Sequence, residues 1–266
     1  ILRDEWGFDG MVVSDWGGSN SAVAAVKAGG SLEMPSPGFT SVRELEGAVK
    51  AGTLAEADIN KRAAEVAKIA AATKLVGVGR DELSDDIAKA HHDIARTVAE
   101  HSSVLLKNDA ATLPLKPGTR VAVIGDMAAT ARYQGSGSSK VNATKEENIL
   151  DEVKNAEGLV LAGYEQGYDR QGKPDEVLLN DAVALAKKDV VDVVLAVVGL
   201  DERSESEGLD RSTMAIPQVQ NDLVTALAKT GKPVVIVLVA CSPVELPWFN
   251  DVAAMLYVGL SGQACS

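Results

Sequence analysis

Residues 10–19 read GMVVSDWGGS, and the interpretation of the whole chain turns on them. Met11, Val12 and Val13 form an unbroken apolar run, closed by Ser14 and Asp15 and then by Gly17 and Gly18. An apolar run without alternation suits a strand covered on both faces, which points to a parallel sheet in an α/β fold. A carboxylate where such a strand ends, ahead of a glycine turn, lies on the face where α/β proteins keep their chemistry. The same stretch fits Asp15 as a mere cap of the next helix, and taken alone it leaves both readings open.

Outward from this stretch, residues 19–29 predict a short helix, with Ser19, Asn20 or Ser21 as its cap and Gly29 at its end. Residues 31–34 predict a second strand, closed by Pro35 and Pro37. Ser41 with Glu44, and Thr53 with Glu56, have the spacing of capping boxes. The second opens a helix running through Ile59, Ala63, Val66 and Ile69. Strand, helix, strand, helix, helix is too little for an independent core, so residues 1–75 are expected to be the tail of a barrel or open sheet. Glycine- and acid-rich residues 75–86 suit a linker, followed by a helix with Ile87, His91, Ile94 and Val98 on one stripe. Apolar runs then recur at 104–106, 121–124, 159–161, 190–198, 234–239 and 255–258, with helical stretches at 177–187 and 218–229. That alternation predicts a second α/β domain with a mostly parallel sheet.

Of the 266 residues, 46% are hydrophobic and 24% charged, the balance of a folded domain, and aromatics are only 4%, so the core is built from small aliphatic side chains. The net charge of −12 argues against a nucleic-acid surface, which needs a basic patch. No apolar run reaches the length of a membrane-spanning helix, so no membrane partner is expected. Cys241 and Cys265 form no framework, and Cys241 reads as a buried thiol in a strand. His91, His92 and His101 read as helix-surface residues; no metal and no cofactor is expected. Both ends fall inside patterned segments, so the chain is expected to be a piece of a longer protein.

Two loops carry candidate chemistry. Residues 133–141, YQGSGSSKV, follow the run VAVIG as a dinucleotide loop would, but the glycines lie too far past the strand. A polar surface loop, or a loop hydrogen-bonding a polyhydroxylated ligand, fits as well. Residues 201–211, DERSESEGLDR, leave a buried strand with five acidic side chains. A solvated loop is the usual meaning of such a run. Yet Gly208 after Glu207 permits a sharp turn, Asp210 and Arg211 could pair to hold it, and a second carboxylate is what Asp15 needs for glycoside hydrolysis.

The ordered segments VVSDWGGSNSAVAAVKAGGSLEMPSPG, SSVLLKNDAATLPL, YQGSGSSKV, SEGLDRSTMAIPQVQNDLV and LYVGLSGQ together resemble the family 3 glycoside hydrolases of β-glucosidase type. The resemblance covers nearly the whole chain. It implies the C-terminal part of a (β/α) TIM-like barrel in residues 1–75, a linker and connecting helix in 76–98, and an α/β sandwich domain in 99–266. It further implies a retaining, exo-acting enzyme removing terminal β-D-glucosyl residues from a small β-glucoside or oligosaccharide. Asp15 matches the nucleophile, and a Glu of the second domain would reach over as acid/base, Glu207 in preference to Glu205. Trp16 and Met34 match residues lining the sugar pocket, while Ser136 and Ser138 match the loop bordering it. Ser31 stands where the resemblance implies Asp, and a looser local geometry is expected there. The upstream barrel strands that would clamp the sugar hydroxyls are absent from these residues and are the expected intramolecular partner. β-Xylosidase and β-N-acetylglucosaminidase share the fold; an acid on a second domain favours glucosidase over the single-domain hexosaminidases. Outside this class stand a nucleotide- or phosphate-binding α/β module, resting on VAVIG and the GSGSS loop, and a carbohydrate-binding relative without turnover.

Overall fold

The apolar runs beyond residue 103 pair into one six-stranded sheet: β1 (Val104–Asn108), β2 (Thr119–Ile124), β3 (Leu159–Glu165), β4 (Val193–Gly199), β5 (Val234–Val239) and β6 (Ala254–Tyr257). Their spatial order is β1-β6-β5-β4-β2-β3, and every pairing is parallel except that of β1 with β6. A computed structural model describes residues 1–73 and 83–266, so the expected linker at 75–86 lies mostly outside the described residues. The chain divides into two units, Ile1–Glu82 and Leu83–Ser266.

Strand parity explains why these runs do not alternate. Ala122, Ile124, Val194, Ala196, Val198, Ile236 and Leu238 face one side, under α7 (Glu176–Ala186) and α8 (Gln218–Ala228). Val121, Val123, Val197, Val237 and Val239 face the other, with Met127 of α5 (Asp126–Ala129) and Val153 of α6 (Ile149–Asn155). Both faces are dry, so both registers must be apolar. Trp248 is the buried tryptophan of this core, its Nε1–H donating to Asn221 Oδ1 at 2.8 Å. Because β2, β4, β5 and β6 run the same way, the loops that follow them emerge on one edge of the sheet.

The helix α4 (Asp85–Ser102) opens the second unit, capped by Ser84. Its expected stripe faces outward: Ile87, Ile94 and Val98 are exposed, and His92 and Ala99 form the buried side instead. His92 therefore departs from the surface position expected of it. The cause is a buried partner, described below.

In the first unit the two expected strands contract to one parallel bridge, Val13 to Leu32, with Ser14 N–H donating to Leu32 O at 2.9 Å. Val13 and Leu32 stay 45% and 40% exposed, so no second layer within this unit covers the ladder and extends it. Between them lies α1 (Ala22–Ala28), capped by Ser21 and closed by Gly29. Neither capping box forms. The helix α2 (Thr40–Lys50) already starts before Ser41, and Glu44 turns instead to α1, accepting from Ser21 Oγ at 2.8 Å, Ala22 N–H at 3.2 Å and Val23 N–H at 3.3 Å. The helix α3 (Glu56–Ala72) has Ala55 at its cap, while Thr53 Oγ1 donates back to Ala48 O at 3.2 Å.

The start of the loop after β2 depends on one glycine. Gly125 has φ +128°, and a Cβ there would lie 2.2 Å from Val197 O on β4. Gly125→Ala is expected to cost about 2 kcal/mol or more through backbone strain and the displaced strand. A urea titration will show a lower midpoint with the slope retained; an unchanged midpoint would contradict this close approach.

Candidate active site

The segment 10–19 ends where the Val13–Leu32 bridge ends, and it is tied there to residue 34. Ser14 Oγ accepts from Met34 N–H at 2.9 Å, and Gly17 N–H donates to Met34 O at 3.2 Å. Asp15 is exposed; its Oδ1 accepts from Trp16 N–H at 2.7 Å, and among the described residues no cation pairs with it. The helix-cap alternative for Asp15 falls away, because Ser21 fills that position. Trp16 is 67% exposed rather than a core residue. The turn that carries Asp15 and Trp16 is thus tied to the backbone of Met34.

Beside the Val13–Leu32 bridge, linked to it through Val12 and Ser31, lies an ion cluster. Glu65 takes Arg3 at 2.9 Å and Arg62 at 2.8 Å, and Ser31 Oγ donates to it at 2.6 Å while accepting from Val12 N–H at 3.1 Å. Ser31 is held by three hydrogen bonds, to Glu65, from Arg3 and from Val12 N–H, rather than loosely as expected. Sequence reading missed this cluster: Arg62 and Glu65 are buried on α3, while Ala63 and Ile69 of its expected apolar stripe are exposed.

In the second unit the two loops singled out in the sequence meet. Ser136 and Ser206 form a parallel bridge, and Glu207 N–H donates to Ser136 O at 3.1 Å. The Glu207 carboxylate accepts from Ser138 N–H at 2.7 Å and from the Ser138 hydroxyl. Gly137, at φ +107°, lets the loop pass; a Cβ there would sit 2.7 Å from Glu207 Cβ. Glu207 is exposed, and the Ser138 hydroxyl and then its N–H hold the carboxyl below the usual range. A carboxylate occupies the donors that a phosphate would need, which disfavours the nucleotide reading of residues 135–138.

Glu205, two residues earlier, is in a different situation. Arg132 Nη1 donates to it at 2.5 Å, Cys241 N–H and Ser242 N–H at 3.0 Å, and Ser242 Oγ at 2.5 Å. Burial alone would raise its pKa, but the Ser242, Arg132 and Cys241 contacts outweigh it and lower the carboxyl. Its oxygens are saturated by donors. Arg132 was not singled out in the sequence, yet its side chain has no exposure and also donates to Leu200 O at 2.8 Å. The expected Asp210–Arg211 pair does not form. Arg211 Nη2 reaches Ser242 Oγ at 2.9 Å and Pro243 O at 3.0 Å instead. Cys241 lies past the end of β5 with an exposed free thiol, contrary to the buried strand position expected.

A second unforeseen cluster pins the neighbouring loops. Buried Glu147 takes His92 Nε2 at 2.8 Å, Arg96 at 2.6 Å and Lys145 at 2.7 Å. Gln263 Nε2 lies 2.9 Å from His92 Nδ1, so with the amide as donor His92 carries its proton on Nε2 and gives it to Glu147.

Residues 1–69 match the profile of the glycosyl hydrolase family 3 N terminal domain, and residues 103–265 that of the glycosyl hydrolase family 3 C-terminal domain. The chain belongs to glycosyl hydrolase family 3. It is 41% identical over 99% of its length to thermostable beta-glucosidase B of Acetivibrio thermocellus, and 38% identical over 99% to an exo-alpha-(1->6)-L-arabinopyranosidase of Bifidobacterium longum. It covers 35% of each of these relatives, about a third of their length. Among solved structures, the GH3 beta-glucosidase of Bifidobacterium adolescentis aligns over 100% of this chain and 38% of its own, at 36% identity and a TM-score of 0.86. A beta-glucosidase of Listeria innocua has the same fold at 22% identity and a TM-score of 0.86.

The Glu147 cluster sets an acid limit. Burial opposes its charge, but Lys145, His92 and Arg96 prevail and hold the carboxyl below the usual 4.5. Its contribution is therefore complete above about pH 4.5, the unfolded value, and is lost as pH falls through the lower folded value. Glu147→Gln is expected to be less stable at pH 7 but to lose less stability on acidification. Denaturation midpoints from pH 7 to 3 check this; parallel pH curves for the two proteins would contradict it.

Proposed function

We propose that the whole protein is a retaining, exo-acting β-glucosidase, with Asp15 as nucleophile and Glu207 as acid/base. The reading rests above all on the unequal state of the candidate carboxylates. Asp15 is exposed and, among the described residues, paired with no cation, which leaves its carboxylate available, whereas Glu205 is consumed by Arg132 and the 241–242 turn. Glu207 is left as the accessible acid, and among the described residues its one side-chain partner is the neutral hydroxyl of Ser138.

In this reading Asp15 attacks the anomeric carbon while Glu207 protonates the departing oxygen; Glu207 then takes a proton from the water that releases the sugar. The Ser138 contacts favour the charged form, which suits the second half. A bound glycoside that excludes water from Glu207 raises its pKa for the first half. Trp16 and Met34 line the sugar position, and Ser136 and Ser138 border it. Residues 1–75 contribute barrel strands and helices, residues 76–98 connect, and residues 99–266 form the sandwich domain. Upstream barrel strands of the whole protein supply the remaining sugar contacts.

The likeness to an exo-alpha-(1->6)-L-arabinopyranosidase favours a second substrate, an α-L-arabinopyranoside. Its glycosidic oxygen is equatorial like that of a β-D-glucoside, so the same two carboxylates would serve.

The test is a panel of nitrophenyl glycosides with the whole protein. The β-D-glucoside is expected to be turned over fastest, ahead of the β-D-xyloside, the β-N-acetylglucosaminide and the α-L-arabinopyranoside. Asp15→Ala is expected to lower kcat by roughly 10³-fold or more. Glu207→Ala is expected to regain turnover of activated substrates with azide, a nucleophile that needs no base. Faster α-L-arabinopyranoside cleavage would move the assignment to the second substrate; an active Asp15→Ala protein would remove the mechanism.

A further inference from the structure

We infer that Glu205 and Arg132 form a clamp that positions Glu207, with Arg211 as its second arm; this rests on the reading of Glu207 as acid/base. The carboxylate of Glu207 is exposed, and its place is set by the backbone at 206–208, by the close approach of Gly137 and by Ser138. That backbone lies between two anchors on one short turn. On the near side, Glu205 accepts from Cys241 N–H and from the Ser242 N–H and hydroxyl. On the far side, Arg211 donates to Ser242 Oγ and Pro243 O. The loop 201–211 is thus stapled at both shoulders to residues 241–243, with Glu207 on the span between.

Arg132 completes the arrangement from the facing loop. It stands four residues before Ser136, the residue whose carbonyl accepts the Glu207 N–H. Its guanidinium reaches Glu205 and also Leu200 O, where the loop after β4 begins. One ion pair therefore registers the loop that carries Glu207 against the loop that carries Ser136 and Ser138. Arg132 Nε and Nη2 are buried without a hydrogen-bond partner, so among the described residues Glu205 and Leu200 O are the groups this guanidinium bonds, both through Nη1. A misplacement of about 1 Å in a reacting group costs up to roughly 10²-fold in rate. Such a clamp consequently acts on the proton-transfer step without touching the substrate.

The test uses the whole protein and two β-glucosides. The 2,4-dinitrophenyl glycoside has a leaving group that needs no proton, and an alkyl glycoside has one that does. kcat/KM isolates the first half of the reaction. In Glu205→Gln, kcat/KM for the alkyl glycoside is expected to fall roughly 10-fold or more, with the dinitrophenyl substrate within about 2-fold, since only the former draws on the acid. Ser242→Ala, which removes a neutral hydroxyl touched by both Glu205 and Arg211, is expected to show the same selective loss in smaller measure. It carries the test if Glu205→Gln does not fold. Glu202→Gln, on the same loop but paired with Arg170 at 2.7 Å, is expected to leave the ratio unchanged. A loss shared equally by both substrates, or no loss, overturns the clamp. Glu207→Gln separates the two ideas: if it shows the selective loss and the clamp variants do not, the clamp alone fails. If Glu207→Gln itself shows none, the acid assignment fails and takes the clamp with it.

Discussion

A single guanidinium with no solvent exposure registers the carboxyl edge of the sheet. A buried guanidinium such as that of Arg132 persists only when it is paired and hydrogen-bonded. Its carboxylate is Glu205, and removing one partner of such a pair strands the other at a cost of about 3–5 kcal/mol. Because the parallel strands deliver their following loops to one edge, the pair joins three loops, those after β2, β4 and β5, that could otherwise drift independently. That pairing, the Ser136–Ser206 bridge and the Ser138 bonds to the carboxylate act together on the position of Glu207.

The first unit solves a similar problem with other residues. A parallel bridge of one rung offers little to hold the Asp15 turn in place. Glu65, with Arg3, Arg62 and Ser31, ties helix α3 to the chain on either side of the bridge. Ser14 then fastens the turn to Met34. In both units the candidate carboxylate is exposed and lightly bonded, while a neighbouring carboxylate is buried and spent on arginine. Burial and the count of donors thus separate carboxylates of the same chemistry into spent and accessible ones, and the proposed roles of Asp15 and Glu207 follow that separation.

The sheet was legible because its physics is local and repetitive: 121–124, 234–239 and 255–258 are apolar on both faces, and turns punctuate them. The first unit was less legible. The run 11–13 looks like a buried strand, yet Val13 has one bridge partner and is 45% exposed. The capping boxes failed because a spacing match says nothing about competitors, and Glu44 found better donors at the start of another helix. Asp15 and Glu207 were singled out by position after strands and by family resemblance. Glu207 and Ser138 stand 69 residues apart, a contact no periodicity encodes. Arg132, His92 and Glu147 were not legible at all, since a buried, paired charge looks the same in a sequence as a solvated one.

The division of labour between the carboxylates is tested most directly by trapping the covalent intermediate. The whole protein, inactivated with 2-deoxy-2-fluoro-β-D-glucosyl fluoride and digested, is expected to carry the fluoroglucosyl label on Asp15 alone. A label on any other residue, Glu205 and Glu207 included, would contradict the account.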